Sequence, residues 1–399
     1  MPAERVAAAQ PLRRPVVRPR PGTDGDKRSD APECYPIEFA ASREDRRALL
    51  VLAALRALTP RRLLALADRE RTASACLAAV RGGRAGSDAD QRFARAMDTD
   101  ELLRALEACG ARAVAFDEPE YPRGLDALKD PPAMLFIRGR DLREVDPVVA
   151  MVGARNCSPA GAEMAGDIAE SLTRHGWWIV SGAARGIDAA SHEGALEHER
   201  TVAVLGCGID VTYPVAKRSL LARILKRGAL VSEYPPGVPA EPFRFPARNR
   251  IVAGMSEALV VVEGAAGSGS IISADHALDI GRLVFAVPGA VTSPLTHAPH
   301  ELIRAGAQLI RGPEDLLEDL GVSAPSAART GVAIRTGLSP GERTALDLLT
   351  VPMLPEAVAR EMRVPLPEAV AVLTTLEMKG LVRNVGGRVE VRSTRRSSA

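Results

Sequence analysis

The chain is poor in aromatic residues, poor in net charge and poor in organised cysteine. Aromatics make up 3% of its 399 residues, so a ring beside arginines carries more information here than elsewhere. The formal net charge is only +2, so bulk electrostatics do not announce a nucleic acid partner, and any basic surface must be local. The five cysteines (Cys34, Cys76, Cys109, Cys157, Cys207) stand singly, with no C-x-x-C pair and no Cys/His cluster at metal spacing. That predicts no metal site, and an odd, dispersed set suits a reducing cytosol. No apolar run approaches the roughly 20 residues that span a bilayer, so no membrane partner is expected and a cytoplasmic location is. The Pro/Arg-rich N-terminus has no apolar segment or cleavage site, which excludes a secretory signal. Residues 1–42 read as a disordered basic tail. The phosphate fingerprint G-x-G-x-x-G is also missing: Gly206-Cys207-Gly208 is the nearest match, and Val211 stands where the third glycine belongs. A nicotinamide dinucleotide is therefore disfavoured, and no cofactor is expected.

What is present divides into segments. A chain of this length predicts two or three domains. Residues 43–115 are Ala/Leu/Arg-rich with apolar positions three and four apart, and read as a small helical domain. Residues 116–140 are turn-rich and end in a short strand. From residue 147, continuous apolar runs such as VVAMV, TVAVL and ALVVVE alternate with amphipathic helical stretches. Runs of this kind, joined by helices, predict a mostly parallel sheet covered on both faces, a doubly wound, Rossmann-like α/β domain. With its upstream strand the domain spans 116–320. Residues 321–336 read as a linker, and 337–393 as three helices and a hairpin, a winged helix-turn-helix. In that tail Ser339-Pro340 marks a helix start and Gly386-Gly387 a turn.

Ligands of open α/β sheets bind at the carboxyl ends of the strands, and four predicted ends carry unusual residues. In VVAMVGARNCSPAG, Gly153 and Ala154 turn into a helix that starts at Ser158-Pro159, an anion seat with Arg155 at its rim. In IVSGAARGIDAASHEGAL, Ser181 and Gly182 close a strand and Arg185 lies in the loop. Asp188 and His192, four apart, fit a helix-start cap and a packed histidine better than an acid/base pair. FRFPARNRIVAGMS (243–256) sets Arg244, Arg248 and Arg250 beside Phe243 and Phe245, with Asn249 between two of the arginines. Such arginines fit phosphates and such rings stack bases; equally, the arginines fit carboxylates at neighbouring strand ends, Glu233 and Glu263, with Arg250 the first choice for an internal pair. In VVVEGAAGSGSIISADHA, Ser268, Gly269 and Ser270 enter a helix through a turn small enough for phosphate to approach. Four anion-friendly ends on one edge suggest a ligand with several phosphates.

In order, AMVGARNCSPAG, SGAARGIDAASHEGAL, AVLGCGIDVTYP, LVSEYPPG, FPARNRIVAGMS, VVVEGAAGSGSIISA and FAVPG closely resemble the DNA processing protein A family (DprA/Smf), densely over residues 118–320. The resemblance implies an extended Rossmann fold that binds single-stranded DNA, dimerises and loads the RecA recombinase in natural transformation and recombination, protecting the incoming strand. It places the family's arginine after the first strand on Arg155, its FPxRNR motif on Phe245, Pro246, Arg248, Asn249 and Arg250, and its SGS turn on Ser268–Ser270. It implies a SAM-like identity for the helical domain, although the usual glycine-hairpin dipeptides are missing. Other departures are Ala154 for a serine, Lys217 for the asparagine of YPxxN, and THAPH (296–300) for SxGxN.

The leading expectation is thus a non-enzymatic single-stranded-DNA binder and RecA loader, with no catalytic residues. DNA contacts are expected from Gly153, Ala154, Arg155, Ser181, Gly182, Arg185, Phe245, Arg248, Asn249, Arg250, Ser268, Gly269 and Ser270. Replacing Arg155 and Arg248 together by alanine is expected to abolish binding and spare the fold. A nucleotide phosphoribohydrolase-like enzyme is the rival, but its PGGxGTxxE glutamate falls on Ser273, leaving only Glu263 as a substitute. The third reading is a winged-helix DNA-binding adaptor.

Overall fold

The computed structural model describes residues 34–322, 338–349, 351–379, 381–385 and 387–391. The chain divides into two compact units, at Leu316/Leu317.

The first unit opens earlier than expected. Residues 34–42, read as tail, form structure: Tyr35 and Phe39 are buried and stacked, with ring centroids 4.9 Å apart, and Tyr35 also meets Phe116 at 5.1 Å. Two rings in one helical turn bury apolar area that a basic tail lacks. Helices α1 (Arg43–Ala54), α2 (Pro60–Glu70), α3 (Ala73–Arg81), α4 (Asp88–Ala96) and α5 (Thr99–Cys109) follow. Ser42 with Asp45, and Ser87 with Asp90, form reciprocal capping boxes that start α1 and α4. Residues 112–115, assigned above to the helical domain, form a strand, β1 (Arg112–Ala115), paired antiparallel with β2 (Met134–Gly139).

The parallel part runs through β3 (Val148–Val152), α6 (Pro159–Arg174), β4 (Trp178–Ser181), α7 (Ile187–Ala195), β5 (Thr201–Leu205), α8 (Arg218–Arg227) and β6 (Ala229–Ser232). It continues through α9 (Arg244–Gly254), β7 (Ala258–Val261), α10 (Gly269–Asp279), β8 (Leu283–Ala286), α11 (His297–Arg304), β9 (Gln308–Leu309) and α12 (Pro313–Asp319). The strand order is β1-β2-β6-β5-β4-β3-β7-β8-β9, with only the β1–β2 and β2–β6 pairings antiparallel. The mostly parallel, doubly wound sheet expected from the apolar runs is therefore present. The chain winds outward from β3 to β6, then crosses back to lay β7 on the other side of β3. The crevice between β3 and β7 is the topological switch point, where such sheets bind ligands.

Alternation along the strands shows the two covered faces. In β5, Val202 and Val204 join one core and Ala203 and Leu205 the other. In β2, Leu135 and Ile137 separate in the same way from Met134 and Phe136. The second of these cores also contains Leu49, Leu52 and Leu64 of α1 and α2. The helical region thus shares a core with one face of the sheet.

In the second unit, α13 (Pro340–Leu348), α14 (Pro355–Met362) and α15 (Leu366–Met378) precede an antiparallel hairpin, β10 (Val382–Val385) and β11 (Arg388–Val391). Ser339 and Glu342 cap α13 reciprocally, and Ala345, Val358, Leu376 and Val389 form the centre of a small core. Gly387 of the expected turn has φ +82°; Gly386 and most of the 321–336 linker lie outside the described residues.

Candidate functional site

The loops after β3, β4 and β7 are stitched together by their backbones. Ala154 donates its N–H to the Glu263 carbonyl at 2.7 Å, and Ile187 donates to the Ala154 carbonyl at 3.1 Å. Gly153 packs on Ile187, whose Cγ1 lies 2.6 Å from where a Cβ would stand. Gly186 has φ +76°, and any side chain there would collide with the carbonyls of Ala154 and Arg155. These contacts bring Arg155 and Arg185 to one rim. Both are exposed, and neither has an ion-pair partner among the described residues.

The anion seat at the start of α6 is filled from within the chain. Glu263 is buried, and its carboxylate accepts the Ser158 N–H at 2.8 Å and the Ser158 hydroxyl at 2.6 Å. A carboxylate satisfies the orphan N–H groups and the helix dipole as a phosphate would. The seat therefore belongs to the fold, and of that loop Arg155 alone is an exposed cation.

The opening stretch of α9 separates by burial. Arg248 is 4% exposed and donates to the Val204 carbonyl. Its guanidinium lies against Gly182, where a Cβ would displace it, and its Nε has no hydrogen-bond partner. Burial pulls the Arg248 pKa below its usual range and pushes the Asp188 carboxyl above its own, and each charge favours ionisation of the other. An arginine held this way supports Gly182 and the end of β5 from beneath. Its removal, expected from the sequence to spare the fold, should on this burial cost stability instead. Arg250, also 4% exposed, pairs with Glu233 at 2.7 Å and Asp130 at 3.1 Å; burial opposes its charge, but the two carboxylates hold its pKa above the ordinary value. It is the internal partner that the sequence favoured. Arg244, stacked on Tyr234 with 4.3 Å from guanidinium to ring centroid, pairs with Glu241.

Asn249 donates from Nδ2 to the Gly269 carbonyl at 3.3 Å, which ties α9 to the start of α10. In that turn Gly269 is exposed, and the hydroxyls of Ser268 and Ser270 are 2.6 Å apart. Ser181 is buried, its hydroxyl donating to the Met151 carbonyl at 2.6 Å. Phe245 is half-buried against Gly206, and its ring centroid is 5.3 Å from that of Tyr213.

Two residues at this edge escaped the sequence reading. Tyr213, 51% exposed, adds a second ring to Phe245; the scarcity of aromatics was the signal that could have found it. Lys217, noted only as a departure from YPxxN, is half-buried. Burial lowers its pKa, and Glu193, Asp188, Arg185 and Cys157 all act on its charge. Of the Asp188/His192 pair only the histidine follows the structural reading: α7 takes Gly186 as its N-cap with no side-chain cap, so Asp188 is not the helix cap expected of it. Asp188 accepts the Ala184 N–H at 3.3 Å. His192 is buried, its Nδ1 is 2.6 Å from the Thr201 hydroxyl, and burial drives its pKa down to about 3. The departing segment THAPH begins α11, where Ala298 donates to the Gly264 carbonyl at 2.8 Å. Among the described residues, no group of three or more His, Cys, Asp or Glu could hold a metal, and no helix is long and apolar enough to cross a membrane.

Residues 112–321 match the family described as DNA recombination-mediator protein A. The chain is similar to DNA processing protein DprA of Bacillus subtilis (strain 168), 38% identical over 221 residues that cover 55% of this chain and 74% of that one. It is similar to Protein Smf of Escherichia coli (strain K12), 36% identical over 303 residues, 72% of this chain and 79% of that one. The X-ray structure of DNA processing protein A from Streptococcus pneumoniae superposes with a TM-score of 0.61 at 31% identity, over 69% of this chain and 98% of that one.

Proposed function

We propose a function for a chain that belongs to the DNA recombination-mediator protein A family: it binds single-stranded DNA at the carboxyl edge of its sheet and passes the strand to the RecA recombinase. The observation that carries this reading is the rim at the switch point, where the exposed Arg155 and Arg185 share an edge with the Tyr213–Phe245 ring pair. Cations that track a backbone and rings on which bases stack are the two components of sequence-tolerant single-strand binding. Backbone N–H groups of the Ser268–Ser270 turn add a further phosphate contact, and Arg248 and Asn249 hold the rim from below and from the side.

We read the chain as a binder and not an enzyme. Ser273 stands where the rival phosphoribohydrolase motif needs glutamate, and the only substitute, Glu263, is engaged by Ser158. RecA loading, action in natural transformation, a homodimer formed through the sheet domain and a cytoplasmic location come to this chain from its family and belong to the same proposal. A winged-helix role for the second unit stays with it; α15 carries Glu368 and Glu377 along its length, a poor charge for a major-groove reader.

The test uses the full chain and a fluorescent dT oligonucleotide. Anisotropy should rise saturably, the affinity should fall with salt as counterions are released, and duplex of equal length should compete poorly. Equal competition by duplex would refute the assignment. RecA filament assembly on protein-coated strand should be faster than on strand coated by a non-cognate single-strand binder; unchanged assembly would remove the loading role alone.

A further inference from the structure

Helix α9 starts without a side-chain cap: Phe243 occupies its N-cap position and offers no acceptor. Glu241 holds the start instead. Its carbonyl accepts the Arg244 N–H at 3.0 Å, and its Oε2 accepts Nε and Nη2 of Arg244 at 3.1 and 3.0 Å. The other oxygen, Oε1, pairs with Nη2 of Arg56 at 2.5 Å. Arg56 belongs to the helical region. It follows α1, and its backbone N–H donates to Oδ1 of Asp90 on α4 at 2.9 Å.

Two guanidinium groups lie over the Phe243 ring, that of Arg56 at 5.6 Å and that of Arg244 at 5.2 Å from its centroid, a geometry in which a cation is drawn to the ring face. The first turn of α9 is thus clasped at one end by Arg56, Glu241 and Phe243. Phe245 leaves the same turn towards the rim. Its ring lies against Gly206, with Cδ1 2.8 Å from where a Cβ would stand, and the Arg244 carbonyl is 3.3 Å from that point. The Arg56 side chain is 67% exposed and that of Glu241 is 19% exposed. An ion pair with so exposed a member contributes little to stability, and the consequence of this one is positional.

We infer that Arg56 is a positioning residue for the strand: through Glu241 and Phe243 it sets the first turn of α9, and with it the Phe245 ring on which a base stacks. The inference rests on the strand-binding reading above. Arg56 acts without touching the strand, and it makes the helical region a working part of the strand site.

The full-length parent, Arg56→Ala, Phe245→Ala and the double variant are compared by dT anisotropy over a salt series. Arg56→Ala should cost about threefold to tenfold in affinity, part of the roughly fivefold to hundredfold that a lost stacked base costs. Its salt slope should match the parent's, since no phosphate contact is removed. In the Phe245→Ala background the same change should cost less than about twofold, because coupled residues are not additive. Losses that multiply in the double variant overturn the inference. So does a lowered salt slope, which would put Arg56 on a phosphate. Arg56→Lys keeps a cation beside Glu241 and Phe243 and should recover most of the loss; a lysine variant as weak as the alanine one overturns the clasp. The Arg56 variants should melt within about 3 °C of the parent, since the backbone link to Asp90 stays. If Arg56→Ala melts early, Arg56→Gln, which keeps part of the stem, takes its place in the comparison. If the parent does not bind dT, or Phe245→Ala binds as the parent does, the strand reading fails and this inference falls with it. If the parent binds, Phe245→Ala weakens it and Arg56→Ala does not, this inference alone fails.

Discussion

Glu263 and Ser158, 105 residues apart, are joined by two hydrogen bonds, from the Ser158 N–H at 2.8 Å and from its hydroxyl at 2.6 Å. One carboxylate thereby closes the start of α6 and fixes the loop that carries Arg155. Glu263→Ala should lower stability by about 2–3 kcal/mol, the scale of hydrogen bonds to a charged group. Glu263→Gln, which keeps one acceptor and loses the charge, should cost about half as much by the same reasoning. Urea unfolding reads both; an alanine variant as stable as the parent would mean that water replaces the carboxylate at no cost.

Arg155 and Arg185 are exposed, with no ion-pair partner among the described residues, so their roles separate from stability. Each alanine variant should unfold within about 0.5 kcal/mol of the parent. Each should weaken dT binding and lower the slope of log K against log salt by about 0.7 for every phosphate of the single strand that is no longer neutralised. Anisotropy at a series of salt concentrations measures this. Weaker binding with an unchanged slope would show that neither side chain meets a phosphate.

Arg248 behaves oppositely. Its removal uncovers Gly182, frees the Val204 carbonyl and strips the buried Asp188 of a cation that favours its charge. Breaking a buried charge arrangement from one side costs about 3–5 kcal/mol, so Arg248→Ala should melt well below the parent before any DNA is added. Circular dichroism melting checks it. If the variant melts like the parent and still fails to bind DNA, Arg248 touches the strand directly and its burial is relieved on binding.

The contrast between these arginines marks how far the sequence could be read. Local signals were legible. Continuous apolar runs gave the parallel strands, and small residues after β3, β4 and β7 marked the edge where the loops meet. Pairings across long stretches of chain were not. Nothing near residue 158 announces that its carboxylate partner comes from residue 263, and although Arg250 was the first choice for an internal pair, the spacing does not reveal that Arg248 turns inward with it while Arg155 stays out. The RAVA strand was absorbed into the helices before it because four residues carry no period. Tyr35 and Phe39 were lost in a basic tail because their partner, Phe116, lies far along the chain.

His192 gives the fold a pH dependence of definite sign. It is neutral in the folded state, with its pKa pushed down to about 3 by burial, against about 6.5 in the unfolded chain. A histidine depressed on folding binds its proton only on unfolding. Its contribution is therefore fully present above pH 6.5 and is lost as pH falls from there towards 3, by about 1.4 kcal/mol per unit. His192→Asn removes that slope. Unfolding free energies of parent and variant between pH 7 and 5 give it as a difference, so that carboxylates common to both cancel. Parallel curves would mean that His192 takes up a proton without unfolding.

Tyr213 tests the stacking half of the site independently of charge. It is 51% exposed and its ring packs on that of Phe245, so Tyr213→Ala removes a platform without opening the core. Losing one stacked base costs about 1–3 kcal/mol, which is roughly a fivefold to hundredfold loss of affinity for dT. Because stacking releases no counterions, the salt slope should match the parent's, unlike that of the arginine variants. Tyr213→Phe should restore most of the affinity, since a ring and not a hydroxyl does the stacking. If phenylalanine fails to rescue while stability is unchanged, the Tyr213 hydroxyl meets the strand, and the ring pair with Phe245 serves only to position it.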